Sequence, residues 1–466
     1  MLRVPVRLVA GLLLVKASLL FAQPLLFLDA DPLQNYPRGE PIPKGQQIRR
    51  NEQVTDNYRR WVDRVMVQPY RAAHPDDREG SELLAATVTV LWSQGSAPRA
   101  QFLAAVDQRA ADGSSDPILD LLAGVQANDP SRKEQYLRRA MTAFPATHYS
   151  TFLYFMAAAN LAKTLSERHA AADEIAPIDL LALQSLADSL SASFTADETP
   201  ALLWRLGSGS TTSLLKRRGR ELATIFEQAA NLPGWIRELK EGEAYLAAAW
   251  SARTDGWAHE VTEAGWQGWY LNLSRARQHL TRAWELNPNH PQAASEMIEV
   301  AMGEGAPKAE LRQWFDRSVA AQLDYFDAYR AMIWALRPRW GGSHEEMLAF
   351  GDECLATERY DTCVPNYYFK VVQDVASEEP NPKNIYEQPE IIGKLNRTLE
   401  RYLATPNTPL SETYGHTLAA ILEYRRGDLI AARSHMAAIQ YRPNSAIGPG
   451  VAEDIGPMMQ ALAAIH

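Results

Sequence analysis

"LTRAWELNPNHPQAASEMI", Leu280 to Ile298, is answered 35 positions later by "FDRSVAAQLDYFDAYRAMI", Phe315 to Ile333, and this pairing decides the fold. Leu286 aligns with Ala321, His290 with Tyr325 and Ala293 with Ala328. Each stretch has an apolar stripe at helical spacing, a polar break, and a second stripe. The same step again reaches Ala356, Tyr360 and Cys363, which fall in register without a gap. A two-helix unit of this length, with small residues where helices approach closely, belongs to the tetratricopeptide-like size class. One unit cannot cover its own apolar face. The expectation is therefore a stack of helical hairpins, a tetratricopeptide-like α-solenoid.

The same grammar extends in both directions. "LAAILEYRRGDLIAARSHMAAIQYRPN", Leu418 to Asn444, has Gly427-Asp428 at its turn, Ala432 at a close-packing position and Pro443 after the second helix. Toward the N-terminus, "NYRRWVDRVM" places Tyr58, Trp61, Val62 and Val65 on one stripe. Further helical segments follow as far as "STFLYFMAAANLAKTL", separated by breaks such as "GSSDP" and "NDP". Sustained strand alternation is absent, so the chain reads as all-α. "LGSGSTT", Leu206 to Thr212, marks a boundary between a helical N-terminal region (47–206) and the repeat region (207–466). Residues 23–46 read as a linker bearing Pro32, Pro37, Pro41 and Pro43.

Residues 1–22 carry a basic start, Arg3 and Arg7, followed by an apolar run. Ala22 ends a candidate signal-peptide cleavage site, "LFA". Uncleaved, Leu8 to Leu28 is long enough for a membrane anchor, with Lys16 a costly interruption. A buried first helix of a cytosolic protein is the third reading. Export to the periplasm or cell envelope, by signal peptide or tether, is favoured.

A net charge of -9 argues against nucleic acid, because phosphate binding needs concentrated Lys and Arg. "LLKRRGR", Leu214 to Arg220, is a short basic run that reads as a solvated helix face. Of the 2 cysteines, Cys354 and Cys363, an exported chain would favour a disulfide over two buried free thiols. Six tryptophans crowd the stretch from Trp235 to Trp284. Filling the space between stacked helices is the favoured reading, with one or two rings reaching a groove.

The block "GEAYLAAAWSARTDGWAHEVTEAGWQGWYLNLSRARQHLTRAWELNPNHPQAASEMIEVAMGEG" carries a closer likeness. With Trp257, Val261-Thr262, Gly265-Trp266, "RAWELNP" and the later "PRWGGSHEEM", it resembles the bacterial domain-of-unknown-function family 4034. The likeness covers about Trp235 to Pro365. It implies a tetratricopeptide-like helical fold and no established activity.

No catalytic, cofactor or metal motif emerges. The histidines show no HExxH and their closest pair in sequence is His279 and His290, so a metal site would need residues converging in space. Ser213 and Lys216 have S-x-x-K spacing but lack the companion elements of serine acyl-transfer enzymes. "GSGSTT" and "GEGAPK" lack a phosphate loop's closing residues and read as turns. In "PRWGGSHEEM", Ser343 to Glu346 spells a capping box, which accounts for the serine and glutamate but not for Arg339 or Trp340. The expected role is a non-catalytic scaffold that binds a protein or peptide on the concave face of the array. Trp257, Trp266, Trp269, Tyr325, Arg339 and Trp340 are the candidate contact residues. His290, Tyr325 and Tyr360 would form either a ladder along that face or, as favoured here, a packing layer between repeats. The alternatives are an assembly scaffold and an envelope enzyme acting on glycan, with a site built from distant carboxylates and tryptophans.

Overall fold

Polar side chains at the breaks start the helices. Asp77, Asp116, Asp129, Ser150, Thr262, Ser343 and Asp428 each accept a hydrogen bond from a first-turn backbone N–H. Those donors have no acceptor inside the helix, so each cap removes a cost. Pro117, Pro130, Pro291 and Pro389 stand in first turns, where a missing N–H breaks no helical bond.

The computed structural model describes residues 42, 59–86, 96–191, 206–207, 209–254, 256–405, 410–444, 447 and 451–464. Residues 1–22 and nearly all of the linker therefore lie outside the described residues. A π-helical turn, Asp63–Val67, leads into α1 (Gln68–Ala73) and α2 (Arg78–Ala85). Next come α3 (Ser96–Ala111), α4 (Pro117–Gln126), α5 (Pro130–Ala143), α6 (Thr151–Glu167) and α7 (Ala172–Leu190). The middle of the chain forms α8 (Gly209–Gln228), α9 (Gly234–Arg253), α10 (Glu263–Leu286), α11 (Pro291–Gly303) and α12 (Lys308–Ala321). Then follow α13 (Phe326–Ala335), α14 (His344–Ala356), α15 (Tyr367–Glu378), α16 (Lys383–Tyr386) and α17 (Pro389–Ala404). The last are α18 (Glu412–Arg425), α19 (Leu429–Ala438) and α20 (Ile455–Ala463).

The described residues are all-helical, with no strand, and the helices pack as adjacent pairs. α4 lies on α5, α6 on α7, α9 on α10, α11 on α12 and α18 on α19. α9 also touches α11, and α11 touches α13. None of the described helices is long and apolar enough to cross a membrane.

Two buried clusters make the core. The first runs from Trp61 to Ala244 and includes Leu214, Leu222 and Phe226 of α8. The second runs from Ile236 to Leu462 and also takes in Ile42 from the linker. They meet along α9, where Tyr245 packs against both.

The 35-residue step is visible in the helix ends: α10, α12 and α14 finish at Leu286, Ala321 and Ala356. α11 and α13 begin in the same register, at Pro291 and Phe326. The third copy departs from the gapless register read in the sequence. A further step from Phe326 reaches Asp361, but α15 begins only at Tyr367. Glu358 turns left-handed, at φ 52°, and Pro365 and Asn366 delay the helix. His290, Tyr325 and Tyr360 consequently form no continuous ladder. His290 stacks on Trp235 with centroids 4.3 Å apart, and Tyr360 meets Tyr402 edge-on at 5.1 Å. The same delay carries Cys363 into an exposed loop while Cys354 is fully buried on α14, and both are free thiols.

Aromatic contacts stitch successive pairs together. Phe315 of α12 lies edge-on to Tyr329 at 5.2 Å and to Phe350 at 5.1 Å. Tyr329 stacks on Tyr367 at 4.2 Å, and its hydroxyl donates to the Leu323 carbonyl at 2.6 Å. Phe315→Ala opens a cavity in this relay, and denaturant unfolding should show a loss of about 3–5 kcal/mol.

Candidate functional site

α9 and α10 can approach only because glycines face the contact. A Cβ on Gly265 would lie 2.9 Å from the Ala252 carbonyl oxygen, and one on Gly268 would lie 2.7 Å from the Ala252 Cβ. Between the helices, Trp257 leads into a 3-10 turn, where its N–H donates to Glu260 Oε2 at 2.6 Å. Thr262 then caps α10 by accepting from Gly265 N at 3.0 Å. Trp266 and Trp269 thereby come to flank the last turn of α9.

That last turn ends on Arg253, only 4% exposed. Its guanidinium carbon lies 5.7, 5.4, 5.6 and 5.3 Å from the ring centroids of Trp250, Trp266, Trp269 and Trp340. Nη1 donates to the carbonyls of Thr254 at 3.1 Å and Gly256 at 3.2 Å. Desolvation removes water that would compete for the ring faces, which strengthens the cation–π attraction relative to an exposed pair, to about 2 kcal/mol for a well-placed ring. Trp269 is fixed from its other end, where Nε1 donates to the Gly303 carbonyl at 3.0 Å.

Trp340 arrives from the α13–α14 junction. Gly341 adopts φ 82°, and a Cβ on Gly342 would fall 1.9 Å from the Leu336 carbonyl oxygen. Both glycines are required by the backbone here. Ser343 caps α14 by accepting from Glu346 N at 3.2 Å, while the Glu346 carboxylate accepts from Lys308 Nζ at 2.5 Å. His344 meets Glu378 at 2.9 Å, so the polar residues of this turn are engaged in helix packing. Arg339 continues the aromatic stack outward, over Trp257 at 5.3 Å, Trp334 at 5.3 Å and Trp340 at 5.7 Å. Its outer face is Trp257, 61% exposed.

The structure thus gathers Trp257, Trp266, Trp269, Arg339 and Trp340 into one stack. Tyr325 stands apart at the head of α13. Arg253, the cation that organises the stack, carries no motif of its own; its only sequence signal is its position three residues after Trp250 and four before Trp257.

Tyr325 belongs to a row of carboxylates on the neighbouring helices. Glu243 comes from α9, Glu296 and Glu299 from α11, and Asp327 from α13. Lys240 pairs with Glu243 at 2.7 Å, and Glu299 accepts from Trp250 Nε1, which joins the row to the tryptophan stack. Lys240 supplies an opposing positive charge at Glu296. Burial pushes its carboxyl well above the ordinary range, and the charges of Glu243, Glu299 and Asp327 push it further. Burial also raises Glu299, against opposing pulls from Trp250, Arg330 and Lys216. The Tyr325 phenol is raised by burial and by Asp327, Glu296 and Glu243.

The chain matches no family model and no curated protein. Among the described residues, one surface concavity is lined by Leu190, Ile225 and Asn231 and another by Cys363, Tyr402 and Tyr414. Among the described residues, no carboxylate lines either of these two.

Two outcomes follow from the geometry. A folded-state pKa above the ordinary 4.5 means that Glu296 favours the fold below pH 4.5 and that this contribution is lost as pH rises through the raised value. Glu296→Gln should therefore be more stable than the parent at pH 7, with the difference closing below pH 4.5 in unfolding midpoints measured across pH. Gly342→Ala should drive the turn off Leu336 and Trp340 off Arg253. Tryptophan emission should shift to the red, with a loss of about 1–3 kcal/mol in denaturant unfolding.

Proposed function

We propose that the chain is a non-catalytic scaffold, a tetratricopeptide-like solenoid whose concave wall is formed by α9, α11 and α13 and which binds a protein or peptide. The observation that carries this reading is the row of acidic residues on these three helices, Glu243, Glu296, Glu299 and Asp327, with Lys240 paired to Glu243. A wall lined with carboxyl groups whose ionisation burial and mutual repulsion oppose is matched by a partner bringing a cation, such as an extended segment with Lys or Arg, which would favour their charged forms. The Trp257–Arg339 edge supplies an exposed aromatic anchor beside it, the residue type that dominates interface energetics. The repeat register of α10 to α14 supports the solenoid, because hairpins of equal length stack with their equivalent helices in one row.

The residue pattern from Trp257 to the "PRWGG" turn is the basis for placing the chain with the bacterial family 4034. The basic, apolar first 22 residues are the basis for placing it in the periplasm or cell envelope.

The test is affinity capture from envelope extracts, followed by titration of the purified captured partner. Trp257→Ala should weaken binding by about 1–2 kcal/mol or more, as for an interface anchor. The paired change Glu296→Gln with Glu299→Gln should weaken it and flatten its salt dependence. A partner bound equally by parent and variants would remove the concave-wall reading.

A further inference from the structure

Away from the acidic row, α9 and α10 bring a third kind of side-chain group together. Glu238 and Glu241 lie one turn apart on α9, and His279 comes from α10. His279 Nδ1 sits 2.9 Å from Glu238 Oε2 and 3.1 Å from Glu241 Oε2. One ligand atom from each residue falls within 4.8 Å of the other two. The two helices are pressed together at this spot: a Cβ on Gly242 would lie 2.5 Å from Leu280 Cγ. Gly242 and Leu280 are the chain neighbours of Glu241 and His279, so the tightest helix contact sets the ligand spacing. Tyr245 stacks on the imidazole with centroids 5.4 Å apart and planes at 16°, which holds the ring in place. Glu241 is 7% exposed, whereas Glu238 and His279 remain open to solvent on one side.

A ring nitrogen carries at most one hydrogen, yet this one faces carboxylate oxygens from two different residues. One N–H cannot point squarely at both. A metal ion in its place is bound by all three atoms. Ligand bonds of about 2.0–2.2 Å put neighbouring ligand atoms about 3–3.5 Å apart, which is the spacing around Nδ1. The nearest competing cation is Arg237, 3.9 Å away on the other oxygen of Glu241.

We propose that Glu238, Glu241 and His279 form a three-ligand site for a first-row divalent transition-metal ion, with zinc the best match, clamping α9 to α10. One imidazole with two carboxylates suits Zn²⁺ or Mn²⁺ better than Ca²⁺ or Mg²⁺, which favour all-oxygen sets. Three protein ligands leave further positions to water. Burial raises the Glu241 carboxyl, with Glu238 and Glu227 adding to the rise and His279 opposing it. A bound dication relieves that repulsion. The site is independent of the peptide-binding wall.

The experiment uses the untagged full chain after chelator treatment. Calorimetric titration with Zn²⁺ should give one equivalent, and Co²⁺ should develop visible absorption with the same stoichiometry. His279→Ala and Glu238→Gln should each weaken Zn²⁺ by more than about 100-fold, since even an outer-shell change typically costs 10–100-fold. Circular dichroism matching the parent shows that the variants are folded. Zn²⁺ should also raise the thermal midpoint of the parent and leave that of His279→Ala unmoved. Absence of Zn²⁺ binding by the parent overturns the proposal in favour of a plain ion pair. Undiminished Zn²⁺ affinity in either folded variant also overturns it, and Ca²⁺ or Mg²⁺ binding as tight as Zn²⁺ overturns the choice of metal.

Discussion

The buried guanidinium of Arg253 is the contact on which the middle of the molecule depends. Removing an arginine from water costs several kcal/mol unless its charge and its N–H groups are satisfied. Here the backbone carbonyls of Thr254 and Gly256 accept from Nη1, and the faces of four tryptophans surround the charge. Those rings come from the end of α9, the start of α10 and the α13–α14 turn, so the α9–α10 hairpin and a turn far along the chain must be in place together. The glycines around them are part of the same constraint. Gly265 and Gly268 admit α10 against α9, and Gly341 and Gly342 bring Trp340 round. A similar device recurs in the next pair, where buried Arg317 lies 4.3 Å from the ring of Trp284 and 4.1 Å from that of Trp314.

α9 is where the molecule's separate features meet. Both buried clusters end on it, one reaching Ala244 and the other starting at Ile236. It carries Arg253 and Trp250 for the aromatic stack, Glu243 for the acidic row, and Glu238 and Glu241 beside His279. A stable core alone would not gather Glu296 with Glu243, Glu299 and Asp327, because a carboxyl whose charged form is disfavoured by burial and by its neighbours weakens the fold at neutral pH. Such local costs concentrate where a surface meets something else. That is why the wall of α9, α11 and α13 carries the functional reading.

Much of the architecture was legible in the residues. The 3.6-residue periodicity, the caps and the prolines pointed to the all-helical class, and the 35-residue echo aligned Leu286, Ala321 and Ala356, which the structure makes the ends of α10, α12 and α14. The turn grammar at Gly427-Asp428 and at Ser343 was equally readable, since a cap depends on residues close in sequence. The echo failed at α15, where a left-handed Glu358 and a proline shifted the helix start without altering the apolar pattern. Trp257, Trp266 and Trp269 stood out because half of the 12 tryptophans crowd one stretch, and Arg339 and Trp340 because neither the turn nor the cap explained them, whereas Tyr325, named with them, lies outside the stack. Arg253 did not stand out, because one arginine at a helix end looks like any solvated cation.

The sequence by itself determined what local rules can encode: helix positions, turn chemistry, the repeat length and the absence of short-range catalytic or metal motifs. Only the tertiary structure decided which groups face one another. It buried Arg253, grouped Glu296 with three other carboxylates on three helices, and set His279 against Glu238 and Glu241. The physical reason is that charge burial and ligand spacing depend on contacts between residues tens of positions apart. Those distances are set by how closely two helices pack, which no periodicity records.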